Sequence, residues 1–245
     1  MIQKLLLGCI AVGALAGTSF ASLIPIGAIP SSGNGLGAVN TVVTFQNTGT
    51  ESGCVGYIGG TTVVGSAACT GGNTGGNEQT GSGNNVYTAA DLGLTSSGTS
   101  TFANLVLIFN GSEGGNAADQ PITLSNLTLS LFGTSTTATF SAASTNYAAF
   151  PGTGNAGFAY QLDSTQAAQA NAFLLANPNL RIGASATATN AQGGLETIQV
   201  STISSVQPGG GGGGTGAVPE PSTYLLLAGG LISFGLLRKS PLRSR

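Results

Sequence analysis

Between Ser22 and Val218 the side chains able to do chemistry are few: seven carboxylates (Glu51, Glu78, Asp91, Glu113, Asp119, Asp163, Glu196), one base (Arg181) and two cysteines (Cys54, Cys69). The chain contains no histidine. That removes the commonest general base and the commonest metal ligand, and with them Ser-His-Asp and Cys-His catalysis and histidine-bound zinc. Paired carboxylates can still hydrolyse glycosidic bonds, and a carboxylate-dependent glycoside hydrolase is the enzymatic alternative. No spacing marks out a pair, however, and sugar sites favour aromatic platforms whereas the chain has no tryptophan. The run from Asn110 to Asp119 gathers oxygen ligands in a glycine-rich setting that suits calcium. Its spacing is not that of an EF-hand, a polar hairpin loop accounts for its composition, and no metal or cofactor is expected.

The charge pattern closes another class. One base against seven acids gives the stretch from Ser22 to Val218 a net charge of −6, while Lys4, Arg238, Lys239, Arg243 and Arg245 crowd the two ends. A surface with one arginine cannot neutralise several phosphates, so nucleic-acid binding has no electrostatic source. Glycine-rich Thr70 to Gly83 lacks the strand-GxxxxGK-helix setting of a phosphate cradle and reads as loop. Asn110-Gly111-Ser112 and Asn126-Leu127-Thr128 fit the glycosylation triplet, which is a short pattern.

A disulfide between Cys54 and Cys69 is expected for an exported chain, subject to a geometric condition. If Gly59-Gly60 forms a two-residue hairpin turn, Cys54 lies opposite Gly65, and Cys69 is four residues, roughly 13 Å, farther along. Bridged Cα atoms lie within about 7 Å. Either the chain folds back after Gly65-Ser66, or the turn lies elsewhere, or the thiols stay free.

The elements that must position these groups are mostly strands. Short β-branched or alternating runs occur at Val39–Phe45, Phe102–Phe109, Ile122–Phe132, Thr137–Phe140, Arg181–Thr189 and Leu195–Ile203, separated by Gly, Asn and Ser. Within Ile122–Phe132 the apolar parity changes between Leu124 and Leu127, which predicts a bulge or bend. Asp163-Ser164-Thr165-Gln166 resembles a capping box, and Ala167, Ala170, Phe173 and Leu174 follow at helical spacing before Pro178, predicting one short helix with Phe173 and Leu174 in the core. No fixed repeat calls for a solenoid. The fold class is mainly β: an antiparallel β-sandwich, jelly-roll-like, over residues 22–206.

The two ends read differently. Lys4 and the apolar run Leu5 to Ala16, followed by Ser19-Phe20-Ala21, have the form of a secretory signal peptide over residues 1–21, predicting a signal helix, passage through the Sec translocon and cleavage between Ala21 and Ser22. At the other end, Pro208 and Gly209 to Gly214 open a tether over residues 207–217 whose ends lie on the order of 15–20 Å apart. Tyr224 to Leu237 is charge-free and bounded by Arg238 and Lys239. It is shorter than the roughly 20 residues of an ordinary span, yet it is apolar on every face and followed by bases, so residues 223–237 are expected to form a transmembrane helix with Arg238, Lys239, Arg243 and Arg245 on its cytoplasmic flank.

Val218-Pro219-Glu220-Pro221-Ser222, then the hydrophobic stretch, then the basic end, resembles the PEP-CTERM sorting signal of Gram-negative bacteria, over residues 218–245. The resemblance implies processing by exosortase, a membrane-embedded cysteine transpeptidase-like enzyme that recognises the Pro-Glu-Pro element and removes the tail, in species that build an exopolysaccharide matrix. It implies nothing about the residues upstream. The two prolines hold Glu220 on a stiff extended segment, which suits a protease-like groove.

The reading that follows is a non-enzymatic protein, anchored first in the inner membrane and then delivered to the cell surface or matrix, with a structural or weakly adhesive body. The alternative is an exopolysaccharide-binding module. A concave face with two or three exposed tyrosines from among Tyr57, Tyr87, Tyr147 and Tyr160 would indicate binding, and a flat Thr, Ser and Gly face a structural role.

Overall fold

Runs that alternate apolar and polar residues bury one face each, so they need a second layer to pack against. The computed structural model, which describes residues 22–30, 39–79, 83–111, 121–147 and 156–203, supplies that layer as two sheets. Its elements are β1 (Leu23–Pro30), β2 (Asn40–Phe45), β3 (Thr48–Ile58), β4 (Thr61–Val64), β5 (Tyr87–Thr88), β6 (Leu105–Asn110), β7 (Ile122–Phe132), β8 (Thr137–Ser141), β9 (Thr145–Tyr147), β10 (Ala156–Leu162), α1 (Ser164–Ala176), β11 (Arg181–Gln192) and β12 (Glu196–Thr202). One sheet runs β1-β10-β6-β12-β2 and the other β4-β3-β11-β7-β8, with β5 on β11 and β9 on β7. Every pairing between these strands is antiparallel.

Both sheets contribute to one core. Val43 and Phe45 of β2, Leu107 and Phe109 of β6 and Ile198 and Val200 of β12 meet Leu129 and Leu131 of β7 and Ile182 of β11 in a single buried cluster. The inward residues of β11 after Ile182 are Ala184, Ala186 and Ala188, small enough for large residues of the facing sheet to seat against them. Gly53 on β3 carries this to its limit, because a Cβ there would stand 2.6 Å from Phe45 Cδ1. The strand tolerates glycine here because the opposite layer occupies the side-chain volume.

The parity change in β7 is a bulge. Ser185 and Thr187 of β11 face Thr128 and Ser125, so Asn126 and Leu127 together oppose Ala186, and Asn126 takes a positive φ of 53°. The expected helix is α1, with Asp163 Oδ1 accepting the Gln166 N–H at 2.8 Å and Ala167, Ala170 and Leu174 buried. Phe173 is only partly buried and packs on the core margin. Among the described residues no helix is long and apolar enough to cross a membrane. The expected signal helix and the expected membrane segment 223–237 both lie outside them.

Two tyrosines sit deep in the core. Tyr147 and Tyr160 share a hydrogen bond through their hydroxyls, and Tyr147 stacks on Phe158 with ring centroids 3.8 Å apart. Burial raises both phenols above their ordinary range. Below pH 10 both are neutral in the folded and the unfolded chain alike, so they leave stability unchanged. Above it the unfolded chain ionises first, and stability falls as pH rises. Titration with base, followed at 295 nm, should show these two tyrosines ionising together with loss of structure. Gly53→Ala should destabilise the chain by about 1–3 kcal/mol through displacement of Phe45, read as a lower denaturant midpoint at unchanged slope.

Candidate functional site

The most elaborate polar construction lies on the outside of the β4-β3-β11-β7-β8 sheet. Cys54 and Thr128 both pair with Ser185, and Ser52 pairs with Thr187, so these side chains share the face opposite the alanines of β11. All but Thr187 are buried, together with Ser130. Buried hydroxyls require hydrogen-bond partners; the Thr128 hydroxyl donates to the Asn126 carbonyl at 3.1 Å, and the segment Gly65 to Gln79 brings partners for Ser52, Ser130 and Ser185. Asn73 Nδ2 donates to Ser185 Oγ at 2.8 Å and to the Asn126 carbonyl at 2.8 Å, while Asn73 Oδ1 accepts from Thr187 Oγ1 at 2.8 Å. Thr70 and Ser130 hydroxyls lie 3.0 Å apart. Glu78 Oε1 accepts the Cys54 N–H at 2.7 Å, and Asn77 Oδ1 accepts the Ser52 N–H at 2.9 Å.

The covering segment is stapled by the Cys54–Cys69 disulfide. Gly59 and Gly60, with φ of 60° and 88°, form the two-residue turn between Ile58 and Thr61, a conformation that glycine reaches without a Cβ penalty. Cys54 accordingly lies opposite Gly65, whose N–H bonds to the Cys54 carbonyl at 2.9 Å. A 3-10 turn at Ser66–Ala68 then folds the chain back and sets the two cysteine Cα atoms 5.0 Å apart. Of the arrangements left open by the sequence, the structure contains the one in which the chain reverses after Gly65-Ser66.

Beside the covering segment opens a concavity of about 850 Å³. One wall is the tip of the β3–β4 hairpin and Thr70 of the covering segment, and the other is the β7–β8 hairpin tip, Gly133 to Thr136. Phe132, Tyr57 and Arg181 line it between these walls, with the Arg181 guanidinium 5.4 Å from the centre of the Tyr57 ring. Arg181 also acts on Asp91: the Thr88 backbone N–H, then the Thr88 hydroxyl, hold that carboxyl below its usual range, and the Arg181 charge adds to the effect.

The carboxylates do not converge there. None of the described acids lines the concavity. Glu51 accepts the Asn47 N–H at 2.7 Å, Asp91 accepts the Thr88 N–H at 2.8 Å, Asp163 caps α1, and Glu78 binds the covering segment. Glu51 and Glu196 are fully buried. Four of the five described acids thus accept from backbone N–H groups, which makes them parts of the fold.

The tyrosines divide. Tyr147 and Tyr160 are 7% and 1% exposed, which corrects the expectation that either could serve as a surface platform. Tyr87 donates its hydroxyl to the Thr41 carbonyl at 3.0 Å, and Tyr57 alone lines the concavity. Arg181 was legible in the sequence as the one base of the body, but only as an argument against nucleic acid. Its meeting with Tyr57, 124 positions away in sequence, is a product of topology. Of the two glycosylation triplets, Asn126 is exposed while Thr128 is fully buried, and Asn110 is buried. Most of the run from Asn110 to Asp119 lies outside the described residues, as do Ala21, the Val218 to Ser222 motif and Arg238, Lys239, Arg243 and Arg245. Ser22 is described and buried: its N–H donates to the Ser141 carbonyl at 2.8 Å, and its hydroxyl accepts the Ser141 N–H at 2.8 Å.

Residues 217–239 match the PEP-CTERM protein-sorting motif. The motif implies export, handling by exosortase-type machinery and a surface or extracellular destination. No curated protein and no solved structure matches the chain.

The disulfide closes a loop with a sequence separation of 15, for which the chain-entropy relation gives about 3 kcal/mol. Reduction, or Cys54→Ala with Cys69→Ala, should lower unfolding stability by that order in a denaturant titration. The thiol titre of the denatured wild type should rise by two on reduction.

Proposed function

We propose that the chain is a non-enzymatic cell-surface or matrix protein: it enters the Sec translocon behind a leader cleaved between Ala21 and Ser22, is held in the inner membrane by residues 223–237, and is released when an exosortase-type enzyme acts at Val218 to Ser222. The body is a jelly-roll sandwich with a structural or weakly adhesive role. The sorting-motif match at residues 217–239 carries this reading, and three features of the body support it. The strands β2-β12-β6-β10 face β3-β11-β7-β8, the order of two nested Greek keys. The Cys54–Cys69 bond suits an oxidising compartment. All the described elements lie upstream of Ile203, 14 positions before the matched motif, so the processing site and the body are separate parts of the sequence.

The first paired residue also bears on the order of events. Leu23 pairs with Leu162 and Ser22 is held by Ser141 on both backbone and side chain, leaving no free chain between the cleavage position and the sheet. A peptidase needs an extended substrate, so leader cleavage precedes docking of β1.

A second reading, an exopolysaccharide-binding module, is favoured by the concavity that holds Tyr57 and Arg181. It is compatible with the same delivery route.

Cells with and without the exosortase-type enzyme should be fractionated and probed for the chain. The expected outcome is a shortened species at the surface or in the matrix when the enzyme is present, and a full-length inner-membrane species when it is absent or when Glu220→Ala blocks recognition. A full-length inner-membrane protein under all conditions would overturn the sorting reading.

A further inference from the structure

We propose that the concavity between the β3–β4 and β7–β8 hairpin tips is a glycan-binding site selective for a chain bearing an isolated carboxylate, a uronate set among neutral sugars, with Arg181 as the anion-binding residue and Tyr57 as the ring-contacting residue. The inference rests on the binding reading above and is independent of the sorting reading.

The site contains what a hydroxylated ring with one negative charge requires. At about 850 Å³ the concavity falls within the range of ligand sites, roughly 300–1,000 Å³. Its polar wall is uncharged and rich in short hydroxyl side chains, Thr134, Ser135, Thr136, Thr137 and Thr139, with the Asn179 amide, groups that both donate to and accept from sugar hydroxyls. Aromatic and apolar surface comes from Tyr57 and Phe132, and the faces of sugar rings, which carry C–H groups, pack on such surface.

Arg181 supplies the selectivity. It is the sole base between Lys4 and Arg238, and the fold places it in the lining of this concavity. Its contact with the Tyr57 ring engages the π face, an attraction that does not consume the five N–H donors of the guanidinium. No ion pair to Arg181 occurs among the described residues. The acid that feels its charge, Asp91, is bonded to both the N–H and the hydroxyl side of Thr88. A guanidinium held against an aromatic ring, with no ion pair among the described residues, is suited to bidentate capture of a carboxylate.

The rest of the body sets the charge density of the ligand. With a net charge of −6 from Ser22 to Val218, the surroundings repel a polymer charged at every ring, and one arginine cannot offset that repulsion. A sparsely charged glycan gains the local contact and avoids most of the repulsion. This separates the proposal from a general polyanion site.

The test uses a matched pair of probes, xylotriose and xylotriose carrying one glucuronate, titrated calorimetrically into the purified full-length chain in mild detergent. The glucuronate-bearing probe should bind at least tenfold more tightly than the neutral one, and Arg181→Gln should abolish the preference, so that the two probes bind alike. Thr139→Glu, in the lining of the same concavity, should abolish it too with Arg181 intact, and so covers the case in which Arg181→Gln fails to fold. Equal affinity for the two probes, persistence of the preference in either variant, or absence of heat with both would overturn the proposal. None of these results alters the expected fate of the chain in fractionated cells, so failure here and failure of the sorting reading are distinguishable.

Discussion

A sheet face made of serine, threonine and glycine cannot be buried by the hydrophobic effect, because each hydroxyl withdrawn from water must regain a hydrogen bond or cost about 1–3 kcal/mol. The outer face of the β4-β3-β11-β7-β8 sheet is of this kind, and it is nevertheless buried at Ser52, Thr128, Ser130 and Ser185. What makes that tolerable is a second polar layer, the segment from Gly65 to Gln79, whose Asn73 amide alone joins β11 to the bulge of β7. Hydrogen-bonded layers of this type hold only while their geometry holds. The Cys54–Cys69 bond fixes one end of the layer to β3, and Glu78 fixes the other end to the backbone of Cys54 itself. The concavity depends on the same arrangement, since Thr70 of the covering segment forms part of its wall.

The topology suits a chain that crosses a membrane before it folds. β1 pairs with β10, and β11 lies between β3 and β7, so neither sheet can close until residues far apart in sequence are available together. Long-range pairings of this sort slow folding. For an exported chain, slow folding is an advantage, since an early compact core would obstruct passage across the membrane. The disulfide reinforces the same order: its loop closes only where thiols are oxidised, so the polar layer is secured after export. With β12, the last described strand, between β6 and β2, that sheet is complete only when residues up to Thr202 are available.

What the sequence disclosed follows from which strands have two environments. β2, β6, β7, β8, β11 and β12 carry β-branched or alternating residues and were legible, β7 with the bounds Ile122–Phe132 and its bulge, β6 with a later start because Phe102–Asn104 forms a 3-10 turn. β3 was not legible, because Gly53 serves the close approach of Phe45 and Glu51 is fully buried, and glycine and glutamate are poor strand signals. β1 contains Pro25 and Pro30, residues that argue against a central strand but belong on an edge, where β1 lies. β10, Ala-Gly-Phe-Ala-Tyr-Gln-Leu, has no β-branched residue. The covalent staple could be stated only as a condition, since the 3-10 turn that satisfies it has no compositional mark in Ser66-Ala67-Ala68. The meeting of Arg181 with Tyr57 was invisible for a different reason: it arises where the β3–β4 hairpin and the start of β11 are brought side by side, and no local pattern encodes that.

The acid count illustrates how composition and placement diverge. Seven carboxylates against one base describe an acidic body, but two of the seven, Glu51 and Glu196, are removed from the surface altogether, and Glu196 pairs directly with Phe45 across β12 and β2. Carboxylates are not buried cheaply, so these two belong to the architecture. Glu78 and Asp163 are tied to backbone N–H groups in the covering segment and the helix cap. A single arginine in such a body acts over a short range, and its effect is confined to whatever enters the concavity that contains it.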